Sequence, residues 1–331
     1  MIGRRFHKIL NRVLVQKGNM LIAIFGLHLF DIGTRMRNIA RTVVRMGNAG
    51  MEISMYQIGF RQITDAFHCL HPDIPKRAGA IIATSNTYAI HRDRLRYQGI
   101  EDRFRALHET ALGLACQSRD AFGAGHVAGS MGPLVASYRP DLAPPAEEAA
   151  DAYAEIAQIQ APFVDLFILE TMASIDQAVG AAMGAGVPNK PIWLAVSVDD
   201  KDGTRLRSGE PLSELADALA PYPVQAILAN CSLPEAITTA VPLLPHHVPT
   251  GAYANGFTEI TEEFAQPGGI VDDLAPRADL GVDAYADHAL RWIEDGATIV
   301  GGCCEIGPKH IQRLARMLDH EGHERTRELT L

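Results

Sequence analysis

From residue 80 onward, short apolar runs alternate with longer amphipathic stretches, the pattern of buried parallel strands that are each covered by a helix. Together with one earlier run, the short runs predict eight strands, at residues 20–30, 80–84, 126–130, 164–170, 191–198, 226–230, 250–254 and 297–301. The longer stretches have apolar residues at helical spacing and predict helices at 102–122, 147–161, 175–186, 212–220, 235–244, 283–295 and 308–318.

Eight such units within 331 residues predict an α/β fold of the TIM (β/α)8 barrel class, in which catalytic groups lie at the C-terminal ends of the strands. A doubly wound open sheet is the alternative fold. No Gly-x-Gly-x-x-Gly follows a strand with an acidic residue about twenty positions later, so the fingerprint of dinucleotide binding is missing.

The first 78 residues differ from the rest in charge. They contain twelve Lys/Arg against four Asp/Glu, whereas residues 79–331 contain eighteen against thirty-five. A basic start before the apolar run at 20–30 resembles a targeting peptide, but no small-residue cleavage site follows and the run is too short to span a bilayer. We therefore interpret the run as a buried strand, followed by a helix at 36–44. The predicted organisation is a divergent basic segment (1–78) containing the first βα unit, a barrel (79–320) and a solvated tail (321–331).

Net charge and cysteine content narrow the function. A formal charge of −9 argues against a nucleic-acid partner, because binding to phosphates needs a basic face. The five cysteines, two of them adjacent, do not form a disulfide framework and favour a reducing compartment. We expect a cytoplasmic protein that acts on small molecules, with no membrane partner.

Polar residues follow the predicted strands, at positions 86–88, 132–133, 170–171, 199, 230–231, 255–256 and 303–304. Cys231 follows one strand, and Cys303 and Cys304 follow the strand two units later. Alternate barrel strands contribute to one layer, so we expect the three sulfur atoms to converge above the barrel. Three thiolates with an open fourth position suit a catalytic zinc ion. Cys69 and Cys116 are interpreted instead as buried apolar residues.

Four short segments, taken in order, resemble the homocysteine S-methyltransferase family, which includes betaine-homocysteine and S-methylmethionine-dependent enzymes. They are TSNTY at 84–88, ET at 170–171, NC at 230–231 and GGCC at 301–304, and the resemblance covers about residues 79–320. It implies a TIM barrel whose zinc is held by three cysteines, here Cys231, Cys303 and Cys304, and methyl transfer to homocysteine sulfur. By the same resemblance, Glu170 would bind the homocysteine amino group and Tyr88 would lie beside the metal.

The chemistry of the residues agrees with this resemblance. A free thiol has a pKa of about 8.5, so homocysteine is a poor nucleophile at neutral pH until a metal binds it as the thiolate. A buried carboxylate such as Glu170 needs a cationic partner, which an α-ammonium group provides, although a structural ion pair with an arginine is the alternative. Asn255 also follows a strand and is a candidate substrate contact. The acceptor is homocysteine or a similar thiol, with selenocysteine a further possibility.

The resemblance breaks at the first strand. The family has an Asp-Gly-Gly-Met-Gly motif there, whereas residues 30–34 read FDIGT, so Asp31 is the candidate for the aspartate and Ile32 replaces a glycine. One hypothesis is that a shifted reading frame or a wrong start has replaced residues 1–78, and an intact-mass measurement on protein from the native locus would test it.

The methyl donor is not determined by the sequence. S-methylmethionine, S-adenosylmethionine and betaine all favour aromatic faces or carboxylates, and Trp193, Tyr253, Phe257 and Glu259 are candidates for either donor class. The charged residues between 199 and 207 are expected to form a solvated loop. Two other functions remain: an inactive barrel with a structural zinc or a thiol-sensing role, and a zinc hydrolase, which usually has histidine and carboxylate ligands.

Overall fold

The computed structural model describes residues 20–23, 79–267 and 274–328, with side chains described for 79–267 and 274–318. Within these residues, eight parallel strands form a closed barrel in chain order. They are β1 (Met20–Ala23), β2 (Ile82–Thr84), β3 (His126–Met131), β4 (Leu166–Met172), β5 (Ile192–Val196), β6 (Val224–Asn230), β7 (Thr250–Tyr253) and β8 (Ile299–Gly302). This arrangement confirms the TIM barrel and excludes the open doubly wound sheet, in which the edge strands do not pair.

The helices of the described residues follow the strands from β2 to β8. They are α1 (Arg92–Tyr97), α2 (Phe104–Phe122), α3 (Ala146–Gln160), α4 (Ile175–Ala185), α5 (Leu215–Leu219), α6 (Pro234–Ala240), α7 (Val282–Glu294) and α8 (Pro308–Glu328). Ser174 caps the N-terminus of α4, because its side chain accepts a hydrogen bond from the backbone N–H of Gln177.

Two helices differ from the prediction. Helix α1 was not predicted, because its sequence RDRLRY has Leu95 as its one buried residue and therefore shows no apolar period. Helix α8 continues to Glu328, whereas a solvated tail was predicted from residue 321 onward. The predicted helix at 36–44 lies outside the described residues, as does the predicted strand beyond Ala23.

The core has two parts, separated by the sheet. The larger part fills the space between the strands and the surrounding helices. The smaller part fills the barrel interior, where Ile168, Trp193, Leu228 and Tyr253 pack together with Cys303 against them. The barrel is therefore a solid scaffold, and its C-terminal end presents the loops that carry the site.

Candidate metal centre

Three cysteine sulfur atoms meet at the C-terminal end of the barrel. Cys231 directly follows β6, and Cys303 and Cys304 directly follow β8. The Sγ atoms of Cys231 and Cys303 are 2.8 Å apart, those of Cys231 and Cys304 are 3.8 Å apart, and those of Cys303 and Cys304 are 3.9 Å apart. All three are free thiols, since a disulfide would need about 2.05 Å. Within the described residues, they form a group that could hold a metal ion.

The chain around these cysteines allows close approach. Gly302, which precedes the adjacent pair, has no space for a side chain, because a Cβ atom there would overlap Cγ2 of Ile306. Cys231 adopts a left-handed backbone conformation with φ of 50°, which is uncommon for a residue with a Cβ atom. This conformation is maintained by several contacts to the residue.

The side chain of Asn255, from the loop after β7, holds the backbone of Cys231. The amide Nδ2 of Asn255 donates to the Cys231 carbonyl oxygen at 2.9 Å, and Asn255 Oδ1 accepts from the backbone N–H of Phe257 at 3.2 Å. Asn255 is fully buried. Both ends of its amide are used inside the protein, so Asn255 helps to hold Cys231; its predicted contact with substrate stays a prediction.

The three sulfurs influence each other's protonation. Hydrogen bonds from Cys303 and Cys304 lower the pKa of Cys231, while the hydrogen bond to Cys231 raises the pKa of Cys303. Of the three thiols, that of Cys231 therefore ionises most readily, and the thiolate is the form that binds metal ions.

The tyrosine in contact with this cluster is Tyr138. Its hydroxyl donates to the sulfur of Cys231 at 3.0 Å and to the Cys231 carbonyl oxygen at 3.3 Å. The hydroxyl of Tyr88, the residue that the resemblance places beside the metal, instead shares a hydrogen bond of 2.8 Å with Ser137. Burial raises the pKa of Tyr88, and within the described residues no hydrogen bond joins its hydroxyl to a cysteine.

Glu170 is buried near the end of β4, with 3% of its surface exposed. Burial raises its pKa to about 8; a hydrogen bond with Ser130 opposes the shift and the charge of Cys231 adds to it. Within the described residues, Oε1 of Glu170 has no hydrogen-bond partner, and no arginine or lysine forms an ion pair with it. The structural ion pair considered from the sequence is therefore not found there.

A second unpartnered polar atom belongs to Tyr253. Its hydroxyl is buried and lacks a hydrogen-bond partner in the described part of the chain, and Glu170 is the first of the charged groups that raise its pKa after burial itself. An unsatisfied buried polar group costs about 1–3 kcal/mol. These two groups, at the same end of the barrel as the cysteine cluster, are therefore candidates for contact with a polar ligand.

The amide of Asn230 connects the strand that carries Glu170 to the strand that carries Cys231. Its Oδ1 accepts from the backbone N–H of Thr171 at 3.0 Å, and its Nδ2 donates to Oγ1 of Thr171, also at 3.0 Å. Thr171 is itself left-handed, with φ of 63°. The carboxylate and the sulfur cluster are therefore joined by a short, rigid connection.

The charged loop after β5 is more buried than predicted. The side chains of Arg207 and Asp200 are 13% and 17% exposed and form an ion pair of 2.7 Å. An antiparallel bridge between Val198 and Leu206 folds this segment back towards the barrel mouth. The expectation of a solvated loop is therefore wrong for this pair.

The remaining predicted residues fall into three groups. Trp193 and Tyr253 face the barrel interior and Phe257 is also buried, whereas Glu259 is exposed. Cys116 is half-buried on α2, where its thiol donates to the carbonyl of Phe163 at 3.2 Å. Asp31 and Cys69 lie outside the described residues.

Comparison with known proteins agrees with this geometry. Residues 76–318 match the family model described as homocysteine S-methyltransferase. The chain belongs to this family. It is therefore a member of the methyltransferase class, and the match leaves the first 75 residues outside it.

Two relatives illustrate the extent of the similarity. The chain is 27% identical to the homocysteine S-methyltransferase of Escherichia coli over 265 residues, which cover 72% of this chain and 80% of that protein. It is 28% identical to the selenocysteine methyltransferase of Astragalus bisulcatus over 134 residues, which cover 39% of this chain and only 36% of the plant protein.

Solved structures show the same fold. The metallated form of the homocysteine methyltransferase MmuM from E. coli is 25% identical, with a TM-score of 0.60 over 74% of this chain and 82% of that one. Its oxidised form gives a TM-score of 0.66 over 93% of this chain and 99% of that one, at 22% identity. As for membranes, no helix among the described residues combines the length and the apolar character that a span requires.

Proposed function

We propose that this protein transfers a methyl group from a sulfonium or ammonium donor to the sulfur of homocysteine, giving methionine. The observation that carries the proposal is the cluster of Cys231, Cys303 and Cys304 at the barrel mouth. Family membership supports the reaction class, and the unpartnered oxygen of Glu170 supports an acceptor with an amino group.

The donor set of the cluster fits a zinc ion held by Cys231, Cys303 and Cys304. Zinc–sulfur bonds of about 2.3 Å in tetrahedral geometry require sulfur atoms about 3.8 Å apart. Two of the three separations, at 3.8 and 3.9 Å, already match, and the third, at 2.8 Å, would have to open. When bound, zinc would supply the positive charge that keeps the homocysteine sulfur as a thiolate at neutral pH. Because the protein supplies three ligands, a fourth position remains for the substrate.

Glu170 provides the complementary end of the binding site. An α-ammonium group beside its free oxygen would replace the missing hydrogen bond and favour the ionised carboxylate, offsetting the cost of burial. With the sulfur at the cysteine cluster and the ammonium at Glu170, the acceptor is held at two points. This orientation can contribute several kcal/mol to the rate of an in-line displacement.

The donors that fit this chemistry are S-methylmethionine, S-adenosylmethionine and betaine, each of which carries its methyl group on a positively charged atom. Selenocysteine is a further acceptor of the same kind, in line with the name of the plant relative. Because the described cysteines are free, we place the reaction in the reducing cytoplasm.

A second candidate function is an inactive barrel that uses the zinc structurally or senses thiols. It is supported by the family match, which begins only at residue 76 and omits the segment that contains Asp31.

The test is a methylation assay with homocysteine and each of the three donors, combined with elemental analysis for zinc. Methionine formation by wild-type protein, absent in Cys303→Ala and raised in KM about tenfold or more in Glu170→Gln, would support the proposed reaction. Bound zinc without turnover under any donor would favour the inactive barrel. Equal zinc content in wild type and Cys303→Ala would remove Cys303 from the site.

A further inference from the structure

Of the three sulfurs, that of Cys231 has a hydroxyl partner. The Tyr138 hydroxyl lies 3.0 Å from the Cys231 sulfur. Within the described residues, the side-chain hydrogen bonds of Cys303 and Cys304 run only to other cysteine sulfurs. Cys231 is also the residue with the left-handed backbone, so its side-chain direction needs the most support. The three metal-binding sulfurs are therefore not equivalent.

The ring of Tyr138 is held in place from two sides. The guanidinium of Arg207 lies over it, with Cζ 4.6 Å from the ring centre, and the ring of Phe264 lies 6.0 Å away at 51°. Tyr138 itself has φ of 62°, an uncommon backbone conformation for a residue with a Cβ atom. This conformation sets the direction of its side chain. Such an arrangement persists only when its surroundings determine it.

Arg207 is in turn anchored to the loop of Cys231. Its Nε donates to Ser197 Oγ at 2.7 Å, and its Nη2 donates to Asp200 Oδ2 at 2.7 Å. The other oxygen of Asp200 accepts from the backbone N–H of Leu233, two residues after Cys231, at 2.8 Å. Ser197 shares a hydrogen bond of 3.1 Å with Ser232, next to Cys231. Arg207 is thus connected through Asp200 and Ser197 to Leu233 and Ser232, which directly follow Cys231. The tyrosine that Arg207 covers donates its hydroxyl to Cys231 itself.

We propose that Tyr138, clamped by Arg207, is a positioning residue that aims the Cys231 sulfur at the metal site and tunes how strongly it donates to the metal. The inference rests on the proposed metal centre and extends it to residues outside the three proposed ligands. A hydrogen bond to a thiolate takes up part of its charge, so the sulfur donates less to the metal while keeping a fixed direction. Partners of this kind typically change metal affinity by about 10–100-fold when they are removed.

The test is Tyr138→Phe, which removes the hydroxyl and keeps the ring under Arg207. We expect zinc affinity, measured by competition with a chromophoric chelator, to fall about tenfold, because the Cys231 sulfur loses its fixed direction and this outweighs its stronger donation. In cobalt-substituted protein, the sulfur-to-metal charge-transfer band should move to longer wavelength, because Cys231 then donates more strongly. A merely structural role would not move this band.

Tyr153→Phe is the matched control. Tyr153 is also buried, and its hydroxyl donates at 3.0 Å to the carbonyl of Gly132 rather than to a sulfur. Its loss should leave both zinc affinity and the cobalt band unchanged. Wild-type values for both quantities in Tyr138→Phe would overturn the proposal, as would an equal change in Tyr153→Phe.

Arg207→Gln carries the test if Tyr138→Phe does not fold, because it leaves the hydroxyl in place and removes the clamp. We expect a smaller band shift in the same direction, and an unchanged band would overturn the role assigned to Arg207. The proposed reaction fails separately: zinc-loaded wild type that binds the metal through its cysteines but methylates no homocysteine would refute the methyl transfer while leaving the Tyr138 effect measurable.

Discussion

The inward-facing side chains of the barrel differ between its lower and upper layers. On β4, Ile168 lies below Glu170, and on β6, Leu228 lies below Asn230; both pairs are two residues apart and so face the same side of the sheet. The lower members belong to the apolar interior cluster, and the upper members are buried polar residues. Two residues along a strand therefore separate an apolar layer that stabilises the fold from a buried polar layer that we propose to be part of the ligand site, and the following predictions test that division.

The largest effect is expected from Cys303→Ala. Removing one of three thiolates should abolish zinc retention during dialysis and, with it, methyl transfer, because two sulfurs do not complete the ligand set. Elemental analysis measures the metal content.

Cys116→Ala is the control for this substitution, since Cys116 is also a free, half-buried thiol but lies on α2. Zinc loss in the control equal to that in Cys303→Ala would show that the effect does not come from the cluster.

In the lower layer, Ile168→Ala should cost about 3 kcal/mol of stability, because it leaves a cavity in a fully buried position. Denaturant unfolding gives the free energy. The folded variant should keep wild-type zinc affinity, and a large loss of affinity would show that the two layers are not separable.

In the upper layer, Glu170→Gln should change the pH dependence of stability. The pKa of Glu170 in the folded protein is raised from 4.5 to about 8, so between these pH values the folded state retains a proton that the unfolded state has released. The stability of wild type relative to Glu170→Gln should therefore fall as pH rises from about 5 to about 8, by on the order of 3 kcal/mol.

Unfolding curves of metal-free wild type and Glu170→Gln across this range measure the difference. A constant difference would mean that Glu170 titrates at the same pH in both states. With zinc and homocysteine bound, the slope should flatten, because the ammonium group favours the ionised carboxylate.

The smallest effect is expected from Tyr88→Phe. Its hydroxyl bonds to Ser137 and not to a cysteine, so the loss should be about 1 kcal/mol of stability, with zinc affinity within about twofold of wild type. A loss of affinity as large as that expected for Tyr138→Phe would place Tyr88 in contact with the metal.

The scaffold and the cysteine cluster were accessible from the sequence for a physical reason. The strands from β3 to β8 are short apolar runs that are mostly buried on both sides, and each predicted strand overlaps a strand of the structure. Chain-order pairing then places the ends of β6 and β8 at the same mouth, so the meeting of Cys231 with Cys303 and Cys304 follows from the fold.

The supporting residues were not accessible in this way. Tyr138 lies seven residues beyond β3, in a loop whose direction depends on left-handed conformations at Val135 and Tyr138 itself. The burial of Arg207 depends on a hairpin closed by a bridge from Val198 to Leu206. Tertiary contacts determine the position of Tyr138 and the burial of Arg207. Residue type and spacing do not indicate either, apart from the presence of an aromatic residue close after a strand end.

The paired hydrogen bonds between Asn230 and Thr171 have a consequence for the geometry of the proposed acceptor site. They join the end of the strand that offers a carboxylate to the end of the strand that offers a sulfur ligand. The distance between the two proposed anchoring points, the carboxylate and the sulfur cluster, is thus set by the protein. This amide crosslink therefore ties the two strand ends together directly, before any acceptor binds.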